Sequence, residues 1–202
     1  MGQINIEYNV GDIDGLCVIT PKRHGDSRGY FMETYNENDM KEAGFEFNFV
    51  QDNQSMSSKG VLRGMHYQIN HPQTKLVRVI RGKVYDVVID LRKESSTYGK
   101  WHGEILTEEN SRQFLIPRGF AHGFLVLSDY AEFCYKCDDF YHPNDEGGIA
   151  WNDPEVGINW PEVTGVYQGN AFGIGYRLED GTLLNLSEKD QNWPVLSSIK
   201  NG

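Results

Sequence analysis

Lys75-Leu76-Val77-Arg78-Val79-Ile80-Arg81-Gly82-Lys83-Val84-Tyr85-Asp86-Val87-Val88-Ile89-Asp90-Leu91 decides the fold class. Both halves are short, rich in β-branched residues and free of a helical period, which is the pattern of strands. Gly82-Lys83 interrupts them as a turn would, so the stretch predicts a hairpin. Asp86 and Asp90 fall on the same side of the second strand as Val84 and Val88. Carboxylates there are tolerable only where that side meets solvent or a polar cavity.

The same texture continues outward. Phe114-Leu115-Ile116 runs into Pro117-Arg118-Gly119-Phe120-Ala121-His122 and then Gly123-Phe124-Leu125-Val126-Leu127. Ala131 to Asp138 alternates, placing Phe133, Tyr135 and Cys137 on one face. Upstream, Phe47 to Gln54 predicts a further strand ending in amides, and residues 1–24 alternate with Gly and Pro punctuation. Asp26 to Glu33 opens as a turn and continues as a strand with Arg28, Tyr30 and Met32 on one face. The clearest helix spans Tyr35 to Gly44, capped by Asn36 and closed by Gly44. Thr107 to Ser111 predicts one helical turn. Many short strands with almost no helix imply an all-β sandwich or jelly roll. No repeat or linker divides residues 1–202, although Val163 to about Asn185, rich in Gly and Tyr, reads as an insertion or extended arm.

Composition narrows the function. A net charge of −10 argues against nucleic acid, and no polybasic run suggests an anionic membrane. No basic segment followed by an apolar run opens the chain and no stretch is long enough to span a bilayer, so the cytoplasm is the expected location. Three cysteines make a disulfide framework unexpected. Cys134 and Cys137 form a CxxC within a strand-like run, with only Cys17 besides, so they read as structural thiols.

Chemistry-bearing residues gather in Gly60-Val61-Leu62-Arg63-Gly64-Met65-His66-Tyr67-Gln68. Arg63 and His66 are three apart, so a regular strand would splay them to opposite faces, and Gly64 is where the chain can bend to unite them. With Lys75 nearby, an anion-binding guanidinium, an imidazole and an ammonium make a catalytic kit. A surface arginine and a satisfied core histidine are the competing reading.

Pro117-x-Gly119-x-x-His122 followed by an apolar strand resembles the second signature box of the cupin jelly rolls. The first cupin box supplies several metal ligands, whereas here the corresponding region offers His66 alone, followed by Tyr67 and Gln68, which points to a metal-free cupin. The ordered boxes GD-x-RG-x-F, VQDN, VLRG-x-H, KLVR, IP-x-GFAHGF, EF-x-YK, WNDP-x-xGI-x-WP and LSEKD closely resemble the dTDP-4-dehydrorhamnose 3,5-epimerase family over residues 16–162 and 186–190. The long link between WP and LSEKD departs from its compact members.

The resemblance implies a cofactor-free isomerase acting on a dTDP-linked 4-keto-6-deoxy sugar in the third step of dTDP-L-rhamnose synthesis. It implies His66 as base, Asp190 as its carboxylate partner, Tyr135 as proton donor to the opposite face and Lys75 as stabiliser of the enolate. It further implies Arg28, Arg63 and Lys189 toward the diphosphate and Tyr141 stacked on thymine, with Phe140 beside it as the rival. Glu33, Gln51, Asp52, Asn53, His122 and Glu146 are the other implied contacts, His122 with Asp86 behind it. A homodimer sharing strands is implied as well. Other readings are a non-catalytic sugar-nucleotide-binding jelly roll, an epimerase acting at C3 or C5 alone, and a metal-dependent oxygenase using His66 and His122.

Overall fold

A computed structural model describes residues 3–168 and 174–199. In chain order its elements are β1 (Ile4–Tyr8), β2 (Cys17–Pro21), β3 (Arg23–Asp26), β4 (Gly29–Met32), α1 (Glu37–Glu42), β5 (Gln51–Ser58), β6 (Leu62–Gln68) and β7 (Lys75–Arg81). Then come β8 (Lys83–Asp90), β9 (Trp101–Thr107), β10 (Gln113–Ile116), β11 (Phe120–Val126), β12 (Tyr130–Cys137) and β13 (Glu146–Gly148). The hairpin β14 (Val163–Gln168) and β15 (Ile174–Leu178) and the one-turn helices α2 (Glu188–Gln191) and α3 (Leu196–Ile199) complete it.

Two antiparallel sheets face each other as a jelly-roll sandwich. One has the order β1-β2-β10-β7-β12-β5, the other β13-β6-β11-β8-β9. The predicted strands on either side of Gly82 both form, but they do not pair with each other. β7 pairs with β10 and β12, whereas β8 pairs with β11 and β9. Gly82 is a corner at which the chain passes from one sheet to the other. Its φ of +81° and the closeness of the Tyr130 carbonyl leave no room for a side chain.

Phe114, Val77, Val79 and Phe133 of the first sheet meet Val84, Val88, Phe120 and Phe124 of the second. Phe124 and Phe133 stack at 4.3 Å. The second sheet is also covered on its outer face, where Val87, Ile89, Ala121 and Leu125 pack against Trp151, Trp160, Leu178 and Leu196. Burial on both faces explains the nearly unbroken apolar runs of β8 and β11. A third cluster, Cys17, Ile19, Leu76 and Leu115 with Met40, backs the first sheet.

Two sequence expectations shift. The strand read over 47–54 begins at Gln51 and runs to Ser58, because Phe45, Phe47 and Phe49 pack as a loop around Met40 and Tyr35 instead of entering the sheet. The segment read as an arm forms the β14–β15 hairpin, whose base is anchored by fully buried Leu178 and by Tyr176 edge-on to Trp151; residues 169–173 lie outside the described residues. The helix capped by Asn36 and the turn capped by Thr107 form as read.

Candidate active site

A cavity of about 660 Å³ opens between the sheets, walled by Arg63, His66, Lys75, His122, Phe133, Tyr135, Lys189 and Asp190 among others. A smaller hollow continues from it past His66, Lys75 and Tyr135 to Gln51, Asn53, Tyr141 and Glu146.

Local register builds its first wall. On β11, His122 pairs with His66 and Phe124 with Arg63, so two steps of one strand match three of the other. The extra residue on β6 is a bulge, and it turns Arg63 and His66 to the same face. Gly64 permits it: its φ is +139°, and the backbone of Gly123 occupies the place of a side chain. The facing wall follows from regular pairing. Tyr135 of β12 lies opposite Val77 of β7, and Lys75, two residues before Val77, shares that inward face. Its Nζ sits 6.0 Å from the centre of the Tyr135 ring.

Asp190 arrives from far along the chain. Asn185 makes a parallel bridge to Val61, with Leu62 N–H donating to its carbonyl (3.0 Å) and its own N–H to the Gly60 carbonyl (2.9 Å). Farther on, Ala150 N–H donates to the Pro194 carbonyl, and Leu196 N–H to buried Asp153 Oδ2 (2.6 Å). Between these anchors Ser187 caps α2 by accepting from Asp190 N–H (3.1 Å). His66 Nε2–H donates to Asp190 Oδ1 at 2.5 Å, which leaves the other ring nitrogen for chemistry.

Electrostatics sort the groups. Burial pushes the Asp190 carboxyl up, but hydrogen bonds from His66, Ser187 and Trp193 outweigh it and hold it below the ordinary carboxylate range, so it stays ionised. Burial raises the Tyr135 phenol, keeping its proton in place at neutral pH. Burial lowers the Lys75 ammonium, against the pull of Cys137, Asp86 and Glu146. Asp86, wholly buried, is pushed up by desolvation and restrained by His122, whose Nε2 is 3.0 Å from both its oxygens.

Glu146, opposite Gln68 where β13 pairs with β6, gathers the outer part of the site. Its Oε2 accepts from Lys189 Nζ (2.7 Å) and the Tyr141 hydroxyl (3.2 Å), and its Oε1 lies 3.8 Å from His66 Nδ1. Arg63 donates through Nε and Nη2 to Ser57 Oγ, both at 3.1 Å. Gln51 and Asn53 face the smaller hollow and are joined at 2.9 Å. Tyr141 lines that hollow, and neighbouring Phe140 does not.

The side chains of three expected site residues lie away from this cavity. Asp52 alternates with Gln51 and Asn53 along β5, so it points to the outer face, where it pairs with Lys136 at 2.9 Å. Arg28 sits on the exposed β3–β4 turn, held by Asp26, and Glu33 follows β4, accepting from Asn36; neither lines the cavity. Sequence reasoning missed Ser57, which steadies Arg63, and Trp193, whose Nε1–H donates to Asp190 Oδ1 at 3.2 Å. For Ser57 the strand alternation of β5 was the available signal. Cys134 faces outward while Cys137 faces inward, so the CxxC is divided by the strand. Among the described residues, no three His, Cys, Asp or Glu side chains cluster to hold a metal ion.

An imidazole–carboxylate pair facing a phenol and an ammonium inside a cupin-type jelly roll is a set of groups suited to an isomerase that works by moving protons. The model of the family described as dTDP-4-dehydrorhamnose 3,5-epimerase matches residues 11–198, and the chain belongs to that family. The enzyme of that name from Methanothermobacter thermautotrophicus is 52% identical over 184 residues, 91% of each chain. The one from Pseudomonas aeruginosa is 55% identical over 150 residues, 74% of this chain and 83% of that one. Among solved structures, the Legionella pneumophila dTDP-6-deoxy-D-glucose-3,5-epimerase in complex with dTDP-4-keto-L-rhamnose superposes with a TM-score of 0.84 at 45% identity, covering 97% of this chain and 94% of that one.

Proposed function

We propose that the protein inverts C3 and C5 of dTDP-4-dehydro-6-deoxy-D-glucose to give dTDP-4-dehydro-L-rhamnose, in the cytoplasm, as the third step of dTDP-L-rhamnose synthesis. The observation that supports this reading is that His66 and Tyr135 wall one cavity from opposite sheets, with Lys75 beside Tyr135 on the same wall. The C4 carbonyl acidifies the hydrogens on both neighbouring carbons. His66 takes one of them, and the electron pair left behind moves onto the carbonyl oxygen as an enolate. Asp190 fixes the tautomer and steadies the imidazolium that forms. The Lys75 ammonium stabilises the enolate oxygen. Tyr135 gives its proton to the carbon from the other face as the carbonyl re-forms, and solvent then restores the phenol and the imidazole. A second passage inverts the second carbon. His122, oriented by Asp86, borders the sugar.

Arg63 and Lys189 take the diphosphate, where the guanidinium fork suits phosphate oxygens. Tyr141 stacks on thymine, and Gln51 and Asn53 contact the nucleotide end. Arg28 and Glu33 reach a nucleotide only if the chain is a homodimer, with the exposed β3–β4 hairpin of one copy laid against the cavity of the other. Residues 1–202 act as one unit, in which the β14–β15 hairpin braces the strap carrying Asp190.

Incubation with the 4-keto sugar nucleotide in deuterated water, followed by NMR, tests the reading. Label is expected at both C3 and C5. Label at one carbon identifies a single-site epimerase, and no label identifies a binding module. His66→Ala is expected to abolish exchange, and near-normal exchange there refutes the base assignment. Tyr135→Phe is expected to raise exchange relative to inversion; equal loss of both refutes the donor role.

A further inference from the structure

Trp193 lies behind the acid–base pair and touches each part of it. Its Nε1–H donates to Asp190 Oδ1, the oxygen that also accepts from His66. Its ring stands edge-to-face with the His66 imidazole at 6.0 Å, and Lys189 Nζ lies 5.8 Å from the ring centre. On its far side Gly148 of β13 leaves the room the indole occupies, because a β-carbon there would strike the ring. Gly148 itself pairs with His66 across β6 and β13, so one register position fixes both the imidazole and the seat of the indole.

The carboxylate needs such support. α2 is a single turn of four residues, too short to hold its own shape. The Ser187 cap restrains its backbone, but a carboxylate can still rotate about its side-chain bonds. We infer that Trp193 is a positioning residue for proton abstraction: its indole N–H and Gly148-backed ring hold the Asp190 carboxylate so that Oδ1 meets His66 Nε2 in the orientation catalysis needs.

Two donors on one oxygen also keep negative charge on the carboxylate. The proton that reaches the imidazole from the sugar then remains there instead of passing to Asp190. Around the cavity His66 is joined by Arg63, Lys75, His122 and Tyr135, and on its other side it meets Glu146 with Lys189 and Tyr141 bound to that carboxylate. Glu146, Lys189 and Tyr141 bear on substrate binding, so the role of Trp193 separates from theirs in the kinetics.

The inference rests on His66 being the base. The decisive variant is Trp193→Phe, which keeps an aromatic ring over Gly148 but deletes the donor. The wild type, Trp193→Phe and His66→Ala are compared for kcat, KM, the pH profile of kcat and deuterium uptake into the sugar. Trp193→Phe is expected to lower kcat and exchange together by about tenfold, the scale of one hydrogen bond to a charged group, to leave KM within about twofold, and to displace the acidic limb of kcat. Unchanged kcat and acidic limb in a variant of wild-type Tm overturn the positioning role, as does a raised KM with kcat intact. Because Phe is smaller, Gly148→Ala serves as the second variant: it pushes the indole off its seat while retaining the N–H, and it is expected to show the same fall in kcat. Full activity in Gly148→Ala overturns the inference too. If His66→Ala still exchanges, the reading of the base fails first, and the two failures are thereby told apart.

Discussion

The proposed mechanism requires Lys75 to be charged so that it can stabilise an enolate, yet Lys75 sits where charge is disfavoured. Burial holds its ammonium below the ordinary lysine range, and Tyr135 is displaced upward by the same cause. The charged form of Lys75 is therefore lost as pH rises through a value under the usual lysine one. The expected pH profile has an alkaline limb set by Lys75. In Lys75→Arg, whose guanidinium stays charged, that limb is expected to move upward even though kcat falls. Lys75→Met is expected to lose about 10²–10³-fold in kcat, the scale of deleting one oxyanion donor. An alkaline limb unmoved by Lys75→Arg assigns it to another group. At this scale the sequence was legible where strand period applied: Tyr135, Phe133 and Cys137 do share a face. The same period, applied to Gln51-Asp52-Asn53, turns the Asp52 side chain away from the cavity that its neighbours face. Asp190 could not be found from local residues, since Ser187 followed by acids reads as an ordinary helix cap, and here it is one.

The elements show why the Gly82 turn was misread. An alternating run, Gly-Lys and another alternating run give the same local signal whether the strands then pair or part into separate sheets. The choice lies with β10, β12, β9 and β11, which claim the edges of β7 and β8. Gly82→Ala is expected to destabilise the protein by about 3 kcal/mol through positive φ and a backbone collision, read as a lowered denaturation midpoint. The bulge at Gly64 was foreseeable from the three-residue spacing of Arg63 and His66, because only a break in the period serves both. After β8 the loop depends on Asp90. Burial pushes its carboxyl up, but hydrogen bonds from Arg92, Thr97 and Ser95 prevail and hold it down to about 2. A depressed carboxyl stabilises the fold above its ordinary value of 3.8, and that contribution disappears as pH falls toward about 2. Asp90→Asn is expected to cost about 2 kcal/mol at neutral pH and to flatten the stability profile over that acidic interval.

Across the whole molecule, a net charge of −10 coexists with a cavity on whose walls Arg63, Lys75 and Lys189 are collected, the cations that the proposed sugar nucleotide requires. The all-β architecture was legible from many short strands, but the partners of those strands were not, since pairing is decided by contacts distant in sequence. The proposed homodimer belongs to this scale. Phe31 is 70% exposed on the β3–β4 hairpin and Tyr30 beside it is 53% exposed, surface that a second copy would cover. Phe31→Asp is expected to yield monomers in sedimentation experiments, with KM for the sugar nucleotide raised at least about tenfold as Arg28 and Glu33 are withdrawn. A dimer of unaltered KM rejects that arrangement.

His66 and Asp190 are separated by 124 positions and are joined through a strap that bridges to Val61 at the start of β6. Turnover can therefore serve as a clock for refolding. Spectroscopic β-structure requires only the sheets, whereas on the proposed mechanism deuterium uptake by the sugar also requires that ribbon to be docked. A lag between the two signals would time the closing step of assembly.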